Sequence, residues 1–227
     1  MLKLCPDPAL TAAEGRALRA WACSGRVPAV WECDGAAGAL LLEAIADETP
    51  VSERPGAVAL GDVAELIGAL HAAGDPRGFD PLADRVEFVF AHWIRRQAGR
   101  SSVPVERFER GAELARALAA EPVPAVLLHG DLHPGNVLDG GAGRGLVAID
   151  PRPCAGDPAM DAVDWVFHRV PDPAEWEPRS RALAAAMGCD PERLWRWCRA
   201  FAAMIASARA AHGAGAEEVA ALLALAP

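Results

Sequence analysis

The stretch from Ala125 to Asp150 constrains this chain more than any other. Two short apolar runs, "AVLLH" and "GLVAID", enclose a loop reading "HGDLHPGN". Aliphatic runs of this length, bounded by Gly and Pro, read as buried strands. The loop sets Asp131, His133 and Asn136 at fixed intervals, and Asp150 closes the second run. Oxygen-bearing side chains on loops anchored by apolar strands have the rigid setting that a chemical site requires. The plain alternative is that Gly, Asp, Asn and Pro are turn formers, with Asp150 capping a strand end before Pro151.

Around this segment the periodicity changes once. The opening sixty or so residues read as strand, helix, strand, strand. "MLKLC" is the first strand. The helix "PDPALTAAEGRALRAWA" is capped either by Asp7 with Pro8 at its first position, or by a box of Thr11 and Glu14, three apart. "VPAVWEC" and "GALLLEAI" flank "DGAAG" as a hairpin. "TPVSERPG" is a Pro-bearing linker, which places a boundary between residues 1–48 and 49–227. Beyond it the pattern is helical. "VAELIGALHAA" ends at Gly74, "PLADRVEFVFAHWIRRQ" follows Pro81, and "PVERFERGAELARALAAE" precedes Pro122. After a central strand pair, helices are expected over about 159–170, 173–187, 192–211 and 216–225.

Composition excludes several classes of function. Hydrophobic residues make up 52% of the 227, enough for a large core, yet no apolar run reaches the length of a membrane span. The N-terminus carries no secretory h-region. A formal charge of −9 argues against nucleic acid as a partner. None of the six cysteines forms a CxxC pair, so zinc is not expected, and reduced thiols in the cytoplasm are. Lys3 is the only lysine among 22 Lys and Arg residues. In an arginine-biased chain it stands either by accident or where a compact point charge is needed, as at a phosphate.

Asp131, Asn136 and Asp150 match what phosphoryl transfer asks of a protein. One carboxylate orients the acceptor hydroxyl and takes its proton, while a second carboxylate and an amide oxygen hold Mg²⁺. Lys3 on a strand, Glu14 on the next helix and the segment leading from "LLLEAI" complete an ordered set. Asp157, Asp161 and Asp164 read as structural carboxylates near helix starts. His71, His92, His168 and His212 read as packing or surface residues, and the seven tryptophans as core.

With these residues in place, the chain resembles the aminoglycoside phosphotransferase superfamily, which has a protein-kinase-like fold. "HGDLHPGNVL" followed by "AIDPRPCAGDPAMDAVDW" carries that resemblance. "LKLCPDPALTAAEGRALRAWA", "GALLLEAI" and "LHAAGDPRGFDPLADRV" narrow it to the aminoglycoside/hydroxyurea resistance kinases of streptomycin 6-kinase type. The resemblance implies an α+β, two-lobe fold: a small, incomplete N-terminal nucleotide-binding lobe and a large, mainly helical catalytic lobe. It implies ATP and Mg²⁺ as cofactors, with a small-molecule acceptor, a cationic aminoglycoside. Asp131 would be the catalytic base, and Asn136 and Asp150 the metal ligands. Lys3, oriented by Glu14, would touch the nucleotide phosphates, with His133 near the γ-phosphate. Glu43, Ala44 and Ile45 would form the hinge that offers backbone groups to adenine. His129 and Asp161 would brace the catalytic loop.

One departure is visible. Kinases of this type carry two strands and a glycine-rich loop before the lysine strand, whereas here the lysine is residue 3. The expectation is a late-called start, a shortened gene or a degraded paralogue, with weaker ATP binding in consequence. The alternatives to an aminoglycoside kinase are therefore a kinase for another hydroxylated metabolite, or a non-catalytic remnant that binds ligand.

Overall fold

The computed structural model describes residues 1–97 and 103–227. β1 (Leu2–Leu4) leads into α1 (Pro8–Ala20). Asp7 caps that helix by accepting from the backbone N–H groups of Ala9 and Leu10, with Pro8 at the first position. The Thr11–Glu14 capping box does not form. Thr11 donates its hydroxyl to the Asp7 carbonyl, and Glu14 turns away to Lys3. β2 (Val30–Asp34) and β3 (Ala39–Leu42) make the expected hairpin. β1 joins on the other side of β3, giving an antiparallel sheet in the order β1-β3-β2.

The helical half begins with α2 (Leu60–Ala73), α3 (Leu82–Gln97) and α4 (Val105–Ala120). Each buries one stripe, such as Val63, Leu66, Ile67 and Leu70 of α2. Four short strands follow: β4 (Val126–Leu128), β5 (Val137–Asp139), β6 (Leu146–Ala148) and β7 (Cys154–Gly156). The two runs expected to pair with each other, β4 and β6, do not. β4 pairs with β7, and β5 with β6, all antiparallel. β7 leaves no sequence signal because "CAG" offers neither branched residues nor alternation.

α5 (Val163–Phe167), α6 (Trp176–Met187), α7 (Pro191–Ala211) and α8 (Ala216–Leu225) complete the chain. The helix expected to run to Val170 stops at Phe167, because His168 leaves the helical region and Arg169 takes a positive φ of 56°. α6 ends at Gly188 in the left-handed conformation, and Asp190 caps α7 ahead of Pro191.

One core runs through both halves. Trp21 at the end of α1 is fully buried in the same apolar cluster as Leu127 of β4 and Leu70 of α2. Trp165, Trp176 and Trp197 are also buried, but Trp31 on β2 is 67% exposed and is not core. All six cysteines are free. Among the described residues no helix is long and apolar enough to cross a membrane.

Polar contacts lock the halves together. Arg144, in the turn between β5 and β6, donates to the carbonyls of Gly25 and Val27 and to the Glu43 carboxylate. That guanidinium holds Glu43 below the usual carboxylate range. Arg26 reaches back to the Arg144 carbonyl and to Glu65.

Candidate active site

β4 and β7 present the loop 129–136 at their ends, and the chain after β6 runs alongside it. The two segments are stitched by backbone: Ile149 N–H donates to Asn136 O at 2.9 Å, and Arg152 N–H to His129 O at 2.8 Å. The His129 ring adds a bond from Nε2 to Ile149 O at 2.9 Å. Asp131, Asn136 and Asp150 are thereby carried on adjoining backbone.

A buried carboxylate organises the loop from behind. Asp161 has no exposed side-chain surface and accepts from the N–H groups of His129 and Gly130, each at 2.9 Å. His71 on α2 meets the same carboxylate at 3.0 Å. Burial alone would raise this acid. The hydrogen bond and charge of His71, with His129 and Gly130, outweigh it and hold Asp161 below its ordinary value. Burial keeps His129 neutral by pushing its own pKa down. Asp161 and His129 thus sit as the braces expected, and His71, read from sequence as packing, is a third. Asp157 is structural too, capping the next turn and pairing with Arg193 and Trp197.

Asp131 is 40% exposed and opens onto a cavity of about 340 Å³. Asn136 Nδ2 donates to the Asp131 carbonyl at 2.9 Å and approaches Oδ2 at 3.5 Å. Arg85 on α3 holds the other oxygen: Nη2 lies 3.2 Å from Oδ1, while Nε donates to Gly130 O. Phe88, His92, Trp93, Asp164 and Phe201 also line the cavity. Arg85 was not singled out in the sequence. It stands in an amphipathic helix rich in charge, and nothing marks one arginine there as turned inward.

Lys3, Glu14 and Asp150 come together across 147 residues of chain. The Lys3 ammonium lies 2.8 and 2.7 Å from the two Glu14 oxygens and 2.8 Å from Asp150 Oδ1. Glu14 is buried, which pushes its pKa up against the lowering effect of Lys3. Asp150 adopts φ of 57°, a left-handed conformation that costs an L-residue about 1 kcal/mol or more. The turn aims its carboxylate at Lys3, and among the described residues Oδ2 has no hydrogen-bond partner.

The remaining candidates lie apart from this cluster or beside it. The His133 ring accepts from Gly135 N–H at Nδ1 and caps its own turn. Glu43 points to Arg144 and Ala29, Ala44 is exposed, and Ile45 is buried against Leu138 and Val147. Asp164 also lines the cavity and is exposed to it.

The donor set suits Mg²⁺, a hard cation that takes one or two protein oxygens plus phosphates and water. Among the described residues one Asp150 carboxylate oxygen has no partner, and Asn136 commits only its amide nitrogen. Among the described residues no cluster of three His, Cys, Asp or Glu forms a metal cage of the all-protein kind.

This layout, a small sheet with one helix placed over a helical half that carries the loops, is a protein-kinase-like α+β two-lobe fold. A choline/ethanolamine kinase family protein from Mesorhizobium loti shares it with a TM-score of 0.64, at 21% identity, over 99% of this chain and 81% of that one. Residues 1–213 match the aminoglycoside/hydroxyurea antibiotic resistance kinase family, and the chain belongs to that family. It is 36% identical over 203 residues to the hydroxyurea phosphotransferase of Kitasatospora aureofaciens, covering 86% of this chain and 58% of that protein. It is 32% identical over 156 residues to the streptomycin 3''-kinase of Klebsiella pneumoniae, covering 63% and 54%. The chain thus spans little more than half the length of these curated relatives.

Proposed function

We propose that the protein is an ATP-dependent phosphotransferase that moves the γ-phosphate to a hydroxyl of a small molecule, an aminoglycoside such as streptomycin. It would work in the cytoplasm, with residues 1–48 as a partial nucleotide lobe and 49–227 as the catalytic lobe. The observation that carries the reading is the meeting of Lys3 with Glu14 and Asp150 beside the loop that bears Asp131.

In this reading Asp131 Oδ2 receives the acceptor proton. Arg85 fixes the other oxygen, and the loop braces fix the backbone, so the base is oriented before substrate arrives. Lys3 holds nucleotide phosphates, with Glu14 as its buried counter-charge. His133 stands near the γ-phosphate, and the segment Glu43, Ala44, Ile45 serves adenine through backbone. Asn136 and Asp150 would hold Mg²⁺, which supplies charge neutralisation between the phosphates. A second acceptor class, another hydroxylated metabolite, is favoured by the aromatic lining of the cavity by Phe88, Trp93 and Phe201.

The test is ATP consumption with Mg²⁺ and a panel of acceptors that includes streptomycin and hydroxyurea. Asp131→Asn should lower kcat by about 10²- to 10⁴-fold, the usual contribution of a positioned base. Turnover that is equal in both proteins would remove the base from the mechanism. Phosphorylation of hydroxyurea alone would move the acceptor to the second class.

A further inference from the structure

Three cationic side chains border the site, and two are already committed. A lysine ammonium has three donors, and Lys3 meets three carboxylate oxygens with them. Arg85 spends Nε and Nη2 on the Gly130 carbonyl and on Asp131.

Arg152 differs. Its backbone is fixed: N–H donates to His129 O, and its carbonyl packs so tightly on Gly130 that a Cβ there would lie 2.1 Å away. Its guanidinium has no hydrogen-bond or ion-pair partner among the described residues, although the residue is only partly exposed. It lines the same cavity as Asp131. It stands two residues beyond Asp150, and its charge reaches Glu14 on one side and Arg85 on the other. A half-buried guanidinium whose five donors meet no described protein group is available to an anion. Arginine's planar fork matches phosphate oxygens in two-point contact.

We propose that Arg152 is a catalytic residue that grips the phosphoryl group in transit between the Lys3–Asp150 cluster and Asp131, an assignment that rests on the phosphotransferase reading. In the transfer the acceptor oxygen bonds to the γ-phosphorus as the bond from that phosphorus to the bridging oxygen breaks. The hydroxyl proton passes to Asp131, and ADP leaves with the bond's electron pair. At the midpoint negative charge is spread over the equatorial oxygens and the leaving oxygen, where Arg152 can donate without first breaking a contact of its own.

The experiment is thermal unfolding of the full 227-residue chain with MgADP, then with MgADP plus aluminium fluoride, a stand-in for the phosphoryl group in flight. Wild type should gain stability from MgADP and gain again from fluoride. Arg152→Gln should keep the first gain and lose the second, and Arg152→Lys should retain part of it. In turnover, Arg152→Gln should lower kcat by about 10²- to 10³-fold with KM for MgATP within about threefold. A full fluoride gain in Arg152→Gln overturns the assignment. So does loss of both gains together, which would make Arg152 a nucleotide-binding residue, and so does a wild type that binds MgADP but gains nothing from fluoride. A wild type with no response to MgADP overturns the phosphotransferase reading itself, and Arg152's role with it.

Discussion

Asp161→Asn isolates the brace behind the loop 129–136. In the wild type Oδ2 accepts from His129 N–H and His71 Nε2, and Oδ1 from Gly130 N–H. An amide has one acceptor oxygen. Placed at the Oδ2 position it orphans Gly130 N–H, and placed at Oδ1 it orphans the His129 pair. Either choice leaves at least one buried donor unpaired, at about 1–3 kcal/mol, and turns the surviving charged bonds into neutral ones, at about 1 kcal/mol each. Relief from burying a charge offsets part of this, so the net loss is about 3 kcal/mol. For a domain of this size that lowers Tm by roughly 9 °C at pH 7, measured by scanning calorimetry. The sign with pH is fixed by Asp161 lying below its ordinary value. Such an acid stabilises fully above the unfolded carboxyl's pKa and loses that contribution as pH falls through the folded value. The gap between wild type and Asp161→Asn should therefore be flat from pH 7 to about 5 and close below about 4. A Tm within about 1 °C of wild type at pH 7, or a gap that widens into acid, would refute the brace.

Gly130→Ala should be more severe locally. Gly130 has φ of 75°, and a Cβ there would lie 2.1 Å from the Arg152 carbonyl oxygen, so the loop and the strand end must part. A loss of about 3 kcal/mol or more in chemical denaturation is expected, with turnover falling alongside; wild-type stability would show that the two segments are not clamped. His168 gives a separate acid signature. Its Nε2 is buried without a hydrogen-bond partner among the described residues, its ring meets Trp165 edge-on, and burial with Arg169, Arg209 and Arg179 pushes its pKa down to about 4. The unfolded residue takes its proton near 6.5, so stability falls as pH drops from about 6.5 to about 4 and levels off below. His168→Phe keeps an apolar ring and removes the titration. Between pH 7 and 4.5 wild type should lose about 3 °C more than the variant, about 1 kcal/mol after solvent screening. Parallel Tm curves would exclude His168 as the source.

Much of this was readable where local rules act alone. Asp7 before Pro8 starts α1, Gly74 ends α2, and the apolar stripes of α2 to α4 give their buried faces. The intervals in "HGDLHPGN" fixed which residues share one loop. Reading failed where the deciding partner is remote. Glu14 satisfies the spacing of a capping box, but a lysine eleven residues earlier with Asp150 beyond it makes a stronger claim on the carboxylate. β4 takes β7 because a loop returns the chain there, and three small residues carry no signature of it. Trp31 lies on a sheet face that no described element covers, so its size predicts burial that the topology withholds. Arg85 and His71 sit on helices whose spacing cannot say which polar residue meets a carboxylate 46 or 90 positions away.

The two halves of the site are held by unequal means, and this follows from how each is built. Asp131 is over-determined: its backbone hangs from Asp161 and His129, its carboxylate from Arg85, and the segment beside it is bonded at Ile149 and Arg152. Lys3 rides on a three-residue strand whose single partner among the described residues is β3, with Leu2 and Leu4 exposed at 64% and 70%. A strand so short contributes little stability of its own. Its register against the rest of the molecule depends on the Met1 contacts to Leu42 and on the ammonium's own bonds to Glu14 and Asp150. Glu14 is buried on a capped helix and cannot follow a wandering lysine, so it acts as the fixed point. Asp150 is the solvent-facing contact, its side chain 47% exposed against 2% for Glu14. If Lys3 takes a phosphate as proposed, the anion would therefore compete with the solvent-facing Asp150 carboxylate before it competes with the buried Glu14.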